Sequence, residues 1–224
     1  MSSIFFNLKR RIIRRLVGRP IKFYYKYRLG KGGSREIMQF IRSAQPQTGL
    51  KYDYYIKYYE IYKHIVKHKP KELLDLGSGM STIVMASALY EQKINGKIVA
   101  MEEDEEYAKI IKSVIPTHLI SYIDYITSPS IESVYGIFSG RRYKNIPKRE
   151  YDFIHVDGPK QAGLFDMDLI FLLHDRPLYA IIDGRAATSW AMKSLLGGKV
   201  KISKIKGLSF VSSCTKKDLK LPYA

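Results

Sequence analysis

The chain has 224 residues, 46% hydrophobic and 26% charged, proportions that fit a globular protein and exclude a disordered, collagenous or disulfide-dense one. A single cysteine, Cys214, excludes an intramolecular disulfide and a cysteine-clustered zinc site, which fits a reducing, cytoplasmic setting. The net charge is +17, and eleven cations from Lys9 to Arg35 precede the first acid, Glu36. Such a bias suits phosphate-bearing partners, either an anionic membrane surface or nucleic acid. No uninterrupted apolar stretch is long enough to span a bilayer. The N-terminus has the basic start of a secretory signal, but Arg14 and Arg15 interrupt its apolar part, so it is not read as one.

Taken in order, residues 3–17 predict an amphipathic helix, because Ile4, Phe5, Leu8, Ile12 and Leu16 fall at helical spacing with cations on the other side. Gly18, Arg19 and Pro20 end it. Residues 21–27 then mix aromatic rings with lysines, as the headgroup layer of a membrane favours. Residues 1–28 are therefore expected to dock on an anionic membrane at its inner face. Packing on the domain, on a twin subunit in a homo-oligomer, or on RNA are the alternatives. The expected division is a basic extension over 1–34 and a catalytic domain over 35–224, joined by a hinge over 30–34. Short helical residues 35–43 and a tyrosine-rich helix over 52–69 follow.

From Glu72 onward, strands and helices alternate. The strands are expected at 72–76, 97–101, 122–127, 151–156 and 179–182, and the helices at 82–92, 107–114, 131–138, 165–173 and 188–195. Residues 139–149 read as a basic loop. Two last strands, 199–205 and 208–213, flank Lys206-Gly207 as a hairpin. This is the pattern of an α/β fold with a doubly wound, mostly parallel sheet, whose ligands sit at the carboxyl ends of the strands. The polar residues collect at those ends: Asp75 to Gly79, Glu102, Ser128, Asp157 to Lys160, and Asp183 to Arg185.

The strand–glycine turn–helix at 72–86 is a nucleotide cradle. Its glycines allow close approach to the backbone, and the N–H groups of the helix start are expected to face the ligand. A dinucleotide fingerprint needs a third glycine where Thr82 stands, so that fingerprint is incomplete. The run Asp75-Leu76-Gly77-Ser78-Gly79 instead resembles motif I of class I S-adenosylmethionine-dependent methyltransferases, with Ser81 where a third glycine is common. Over about residues 52–213 the resemblance implies a Rossmann-like methyltransferase fold with a C-terminal antiparallel hairpin, binding S-adenosyl-L-methionine. It makes Asp75, Gly77, Ser78, Gly79, Ser81, Thr82, Ser128 and Asp157 cofactor-binding candidates. Glu102, directly after the second strand, matches the acid that accepts from the ribose hydroxyls, with Glu103 as the alternative.

The segment from Tyr151 to Lys160 resembles the fourth strand of small O-methyltransferases of the catechol and caffeoyl-CoA type. The resemblance implies Asp157 as a ligand of Mg²⁺ or a similar divalent cation and Lys160 as the base. Asp183 corresponds to the second metal ligand. Gly184 stands where that family has an Asn, a departure that bears directly on the metal. The acceptor proton is assigned to Lys160 or Asp157. His155 shares Asp157's side of the strand by alternation and is either a further catalytic group or a hydrogen-bonded core residue. Arg185 is a candidate for holding an anionic acceptor, or else a surface arginine.

No Asn-Pro-Pro-Tyr or Asp-Pro-Pro-Tyr is present for an exocyclic amine, and Cys214 lies away from the strand ends. The expected activity is thus O-methyl transfer to a small-molecule or glycan hydroxyl, such as a sugar of a surface polysaccharide or lipid-linked precursor. An RNA methyltransferase with a phosphate-binding arm and a non-catalytic membrane-associated protein are the rivals.

Overall fold

The computed structural model describes residues 23–31, 37–38, 55–159, 165–204 and 206–220. The expected amphipathic helix over 3–17, most of the hinge and of the short helix over 35–43, and Lys160 lie outside the described residues.

The centre is β1, Glu72–Leu76, paired in parallel with β2, Lys97–Glu102, on one side and β6, Phe153–Val156, on the other. These strands read as near-continuous apolar runs because both faces of a parallel sheet are covered. Leu73, Leu74 and Leu76 are all fully buried. Beyond β2 lies β3, Ile123–Thr127. Beyond β6 comes β8, Leu178–Asp183, and then the antiparallel pair of β10, Leu208–Cys214, and β9, Val200–Ser203. The sheet order is β3-β2-β1-β6-β8-β10-β9, and the closing hairpin is the one expected from the sequence.

Strand alternation splits the core into two layers. Leu73, Ile98, Phe153 and Ile181 face α1, Tyr55–His68, and α2, Met80–Glu91, meeting Ile61, Ile65, Ile83 and Val84. Leu74, Val99, Ile154 and Ile182 face the opposite side, where Leu169, Ile170, Met192 and Leu195 pack. Each such aliphatic side chain contributes about 1.5–3 kcal/mol by leaving water. The helix α2 is apolar around its whole circumference, as a helix held between a sheet and a second helix must be, and Met80 to Leu89 are all buried. In contrast α3, Glu105–Val114, is capped by Asp104, which accepts from the Tyr107 N–H at 2.9 Å, and buries only Ala108 and Ile111. A single turn, α4, Thr117–Ile120, leads into β3.

Two expectations are corrected here. Residues 131–138, expected as helix, form β4, Ser130–Tyr135, and the start of β5, Phe138–Tyr143, an antiparallel ribbon that also takes in part of the expected basic loop. Gly136, at φ +56°, makes the reversal, and Ile131, Val134, Tyr135, Phe138 and Tyr143 suit a half-buried pleated surface better than a helix. Residues 165–173 are likewise not one helix. Phe165–Asp166 is a short strand, β7, parallel to β5, and α5 covers only Asp168–Leu172. The helix expected at 188–195 is present as α6, Ala186–Leu196.

Residues 23–31 are helical and lie on the α1 layer. Leu29 is fully buried, the Tyr25 ring meets the Tyr59 ring edge-on at 5.3 Å, and Arg28 donates to the Tyr59 hydroxyl at 3.0 Å. Phe23, Tyr24 and Tyr27 face outward. The tyrosines of α1 pack, with Tyr58, Tyr59 and Tyr62 buried.

Candidate active site

The glycine turn after β1 is built against the end of β6. Gly77 has φ +92°, and a Cβ there would lie 2.6 Å from the Asp157 carbonyl oxygen, so both the conformation and the space require glycine. A Cβ on Gly158 would in turn come within 2.7 Å of the Gly77 nitrogen. The turn's own N–H groups are used internally. Gly77 and Ser78 donate to the Met101 carbonyl at 3.2 and 2.9 Å, and Gly79 donates to Thr82 Oγ1 at 3.3 Å.

Glu102 ends β2 beside this turn. Its Oε1 accepts from the N–H groups of Glu103 and Asp104 at 2.9 and 3.1 Å, and its Oε2 accepts from Ser78 Oγ at 3.1 Å. Burial still pushes its carboxyl pKa up. Ser78 Oγ also hydrogen-bonds the Tyr125 hydroxyl. Glu103 is half-buried and supplies an N–H to Glu102. Ser128 is fully buried. Its N–H donates to the Glu102 carbonyl at 2.8 Å, and its Oγ accepts from the Asn145 N–H at 3.0 Å, so it braces the edge.

Asp75 is fully buried one residue before the end of β1, on the α1-facing side. Its Oδ2 accepts from Ser81 Oγ at 2.8 Å and Thr82 Oγ1 at 2.6 Å, and its Oδ1 meets His155 Nδ1 at 2.7 Å. Three of the expected cofactor-binding residues, Asp75, Ser81 and Thr82, are thereby joined to each other. His155, also fully buried, keeps Nε2 without a partner among the described residues. Asp75 offers only acceptors to Nδ1, so in the neutral ring the lone pair sits on Nε2.

Asp157 and Asp183 follow on the same face. A ring nitrogen of His155 and one oxygen from each acid lie within 4.8 Å of one another, the donor set a cation would use. Sequence reasoning missed what stands among them. Lys57, from the first turn of α1, places its ammonium 2.9 Å from Asp157 Oδ2 and 2.6 Å from Asp183 Oδ2, with a side chain only 9% exposed. Burial pulls its pKa down, but the two carboxylates outweigh burial and hold it well above the ordinary lysine range. The Lys57 ammonium thus lies between the two carboxylates expected as ligands of Mg²⁺. No local pattern announces this: Lys57 lies 100 positions before Asp157 in the chain.

Arg185 reaches inward rather than to solvent. Its guanidinium donates to Asp166 Oδ1 at 2.9 Å, to the Pro159 carbonyl at 2.8 Å and to the Asp157 carbonyl. Burial raises the Asp166 pKa to about 6 against the opposing pull of Arg185. Tyr107, a second residue missed from sequence, brings its hydroxyl within 3.3 Å of a Cβ placed on Gly79. Burial first, then the charges of Glu102, Asp157 and Asp75 against that of Lys57, raise its pKa to about 12.

No protein-family model matches the sequence, and no curated protein is similar to it. Solved structures do match in fold. S-adenosylhomocysteine-bound methyltransferase PaMTH1 of Podospora anserina aligns at TM-score 0.53 and 13% identity, over 78% of this chain and 87% of that one. Cofactor-bound Rv0187 from MTB aligns at 0.50 and 11%, over 93% and 96%. A Staphylococcus aureus protein assigned as a caffeoyl-CoA O-methyltransferase aligns at 0.50 and 14%, over 71% and 83%. The fold is that of the class I S-adenosylmethionine-dependent methyltransferases. One of these structures carries the name of an O-methyltransferase.

Proposed function

We propose that the protein is an S-adenosylmethionine-dependent O-methyltransferase. The observation that carries this is the convergence, at one sheet edge, of a glycine turn with a waiting carboxylate and a partly buried Lys57–Asp157–Asp183–His155 cluster. The cradle suits the cofactor. Glu102, held by three donors, is our candidate acceptor for the ribose hydroxyls, and Gly79 leaves room under Tyr107 that any side chain would narrow. S-adenosylmethionine supplies the methyl group, with its sulfur taking the electron pair of the broken S–C bond.

The chain's part is to align an acceptor hydroxyl and remove its proton. His155 Nε2, oriented through Nδ1 by Asp75, or the Asp157 carboxylate accepts that proton as the oxygen attacks. Lys160, outside the described residues, is the third candidate. The acceptor oxygen's developing charge is compensated by the neighbouring ammonium.

The acceptor class we favour is a hydroxyl of a small molecule or of a sugar in a surface glycan or lipid-linked precursor, met at the inner face of a membrane. Support comes from the acid-free stretch ending at Arg35 and from the outward-facing Phe23, Tyr24 and Tyr27. No helix among the described residues is long and apolar enough to cross a membrane. Because residues 25 and 29 pack on the domain, the fitting truncation removes residues 1–22 and not 1–28. Flotation of the full chain on anionic vesicles, lost on truncation, is expected. Salt-sensitive retention of RNA without flotation would favour the phosphate-tracking alternative.

The cofactor is tested by isothermal titration with S-adenosylmethionine, S-adenosylhomocysteine and NAD. Binding of the first two is expected. Silence with both, together with heat from NAD, would discard the assignment.

A further inference from the structure

The carboxylates of Asp157 and Asp183 end adjacent parallel strands, β6 and β8, and point to the side on which α1 lies. We propose that the Lys57 ammonium is the resident cation of this pair, so that the acceptor site works around a built-in positive charge with no divalent metal. The proposal deepens the methyltransferase reading and rests on it for the use made of the site.

Three further observations support it. The first is distance: a Mg²⁺ ion needs oxygens at about 2.0–2.1 Å in near-octahedral array. Both facing oxygens already lie 2.6–2.9 Å from Nζ, so an ion on them would press against the ammonium. The second is charge. Arg185, whose closer carboxylate partner is Asp166, adds a second cation 3.8 Å from Asp157 Oδ1, so the negative charge facing α1 is already partly neutralised by two basic groups. The third is the missing ligand. Gly184, at φ +61°, has no side chain to complete a coordination shell. Nor is Lys57 a passing surface group. It is 9% exposed on a helix whose next residues, Tyr58, Tyr59 and Ile61, are buried.

The test is Mn²⁺ uptake by the full chain, followed by the loss of the free-ion signal in electron paramagnetic resonance, with S-adenosylhomocysteine binding measured on the same samples. Wild type is expected to take up no Mn²⁺ at up to about millimolar concentration, the weak end of protein oxygen sites. Lys57→Ala, which uncovers the two acids, is expected to gain stoichiometric uptake that the added substitution Asp183→Asn removes. Wild-type uptake abolished by Asp183→Asn would overturn the proposal. So would a Lys57→Ala protein that binds S-adenosylhomocysteine, and is therefore folded, yet gains no Mn²⁺. If Lys57→Ala does not fold, the wild-type arm alone decides. Failure of wild type to bind S-adenosylhomocysteine would instead sink the methyltransferase reading and leave the Mn²⁺ result interpretable by itself.

Discussion

His155 and Asp75 occupy paired positions on adjacent parallel strands, and their side chains meet at 2.7 Å with neither exposed to solvent. The pair ties the core of the sheet to the reacting edge, because Asp75 also holds Ser81 and Thr82 at the start of α2. Asp75→Ala would leave three buried polar groups without their acceptor. A loss of about 3–5 kcal/mol in urea unfolding is expected, with S-adenosylhomocysteine affinity falling alongside. A stability unchanged within 1 kcal/mol, roughly the size of an ordinary surface effect, would mean the bracket is not structural.

The turn itself offers a paired comparison. Gly77→Ala drives a Cβ into the Asp157 carbonyl, whereas at Gly184 nothing lies within 4 Å of the added atom. Both positions have positive φ, so the comparison separates clash from backbone strain. Gly184→Ala is expected to cost about 1 kcal/mol, and Gly77→Ala several times that, with cofactor binding lost. Equal thermal midpoints for the two variants would contradict the backbone-to-backbone packing of the turns.

Glu102 and its neighbour are separable by titration calorimetry. Removing a charged acceptor of ribose hydroxyls costs about 1.5–3 kcal/mol, so Glu102→Ala is expected to weaken S-adenosylhomocysteine about tenfold to a hundredfold. Glu103→Ala should change it less than about threefold, since that position supplies a backbone N–H to Glu102, which alanine retains. The reverse order would move the ribose contact to Glu103.

His64 gives the fold an acid-sensitive point remote from the chemistry. It is stacked against His68 and Phe153, and burial, reinforced by the positive charges of His68 and Lys67, lowers its pKa to about 3. The folded state thus holds it neutral, while the unfolded chain takes up a proton below the ordinary value near 6.5. Its contribution to stability is complete above pH 6.5 and drains as pH falls toward 3, by about 1.4 kcal/mol per unit at most. In His64→Phe the unfolding free energy from urea titration should drop about 2 kcal/mol less between pH 7 and pH 5 than in wild type. Identical slopes would show that His64 titrates normally.

The sequence by itself determined the layered α/β order and the carboxyl-end address of the site. Strand alternation has a period of two, so His155 and Asp157 fall on one face whatever packs there, while the registers that add Asp75 and Asp183 to that face come from the pairing of the strands. The glycines at 77 and 79 and the acid at 102 were readable for the same reason, as local chemistry at strand ends. The ribbon at 130–143 was not, because a short apolar run with weak periodicity fits either helix or strand until a partner strand is present. Only the tertiary structure showed that Ser81 and Thr82 serve Asp75, that Arg185 turns inward to Asp166, and that Lys57 stands between two acids. The Lys57 pairings span 100 positions and more, set by how α1 lies on the sheet, and no local pattern encodes them. Whether a carboxylate pair holds a metal or an ammonium is decided by which neighbouring element delivers the charge, and that is a property of packing.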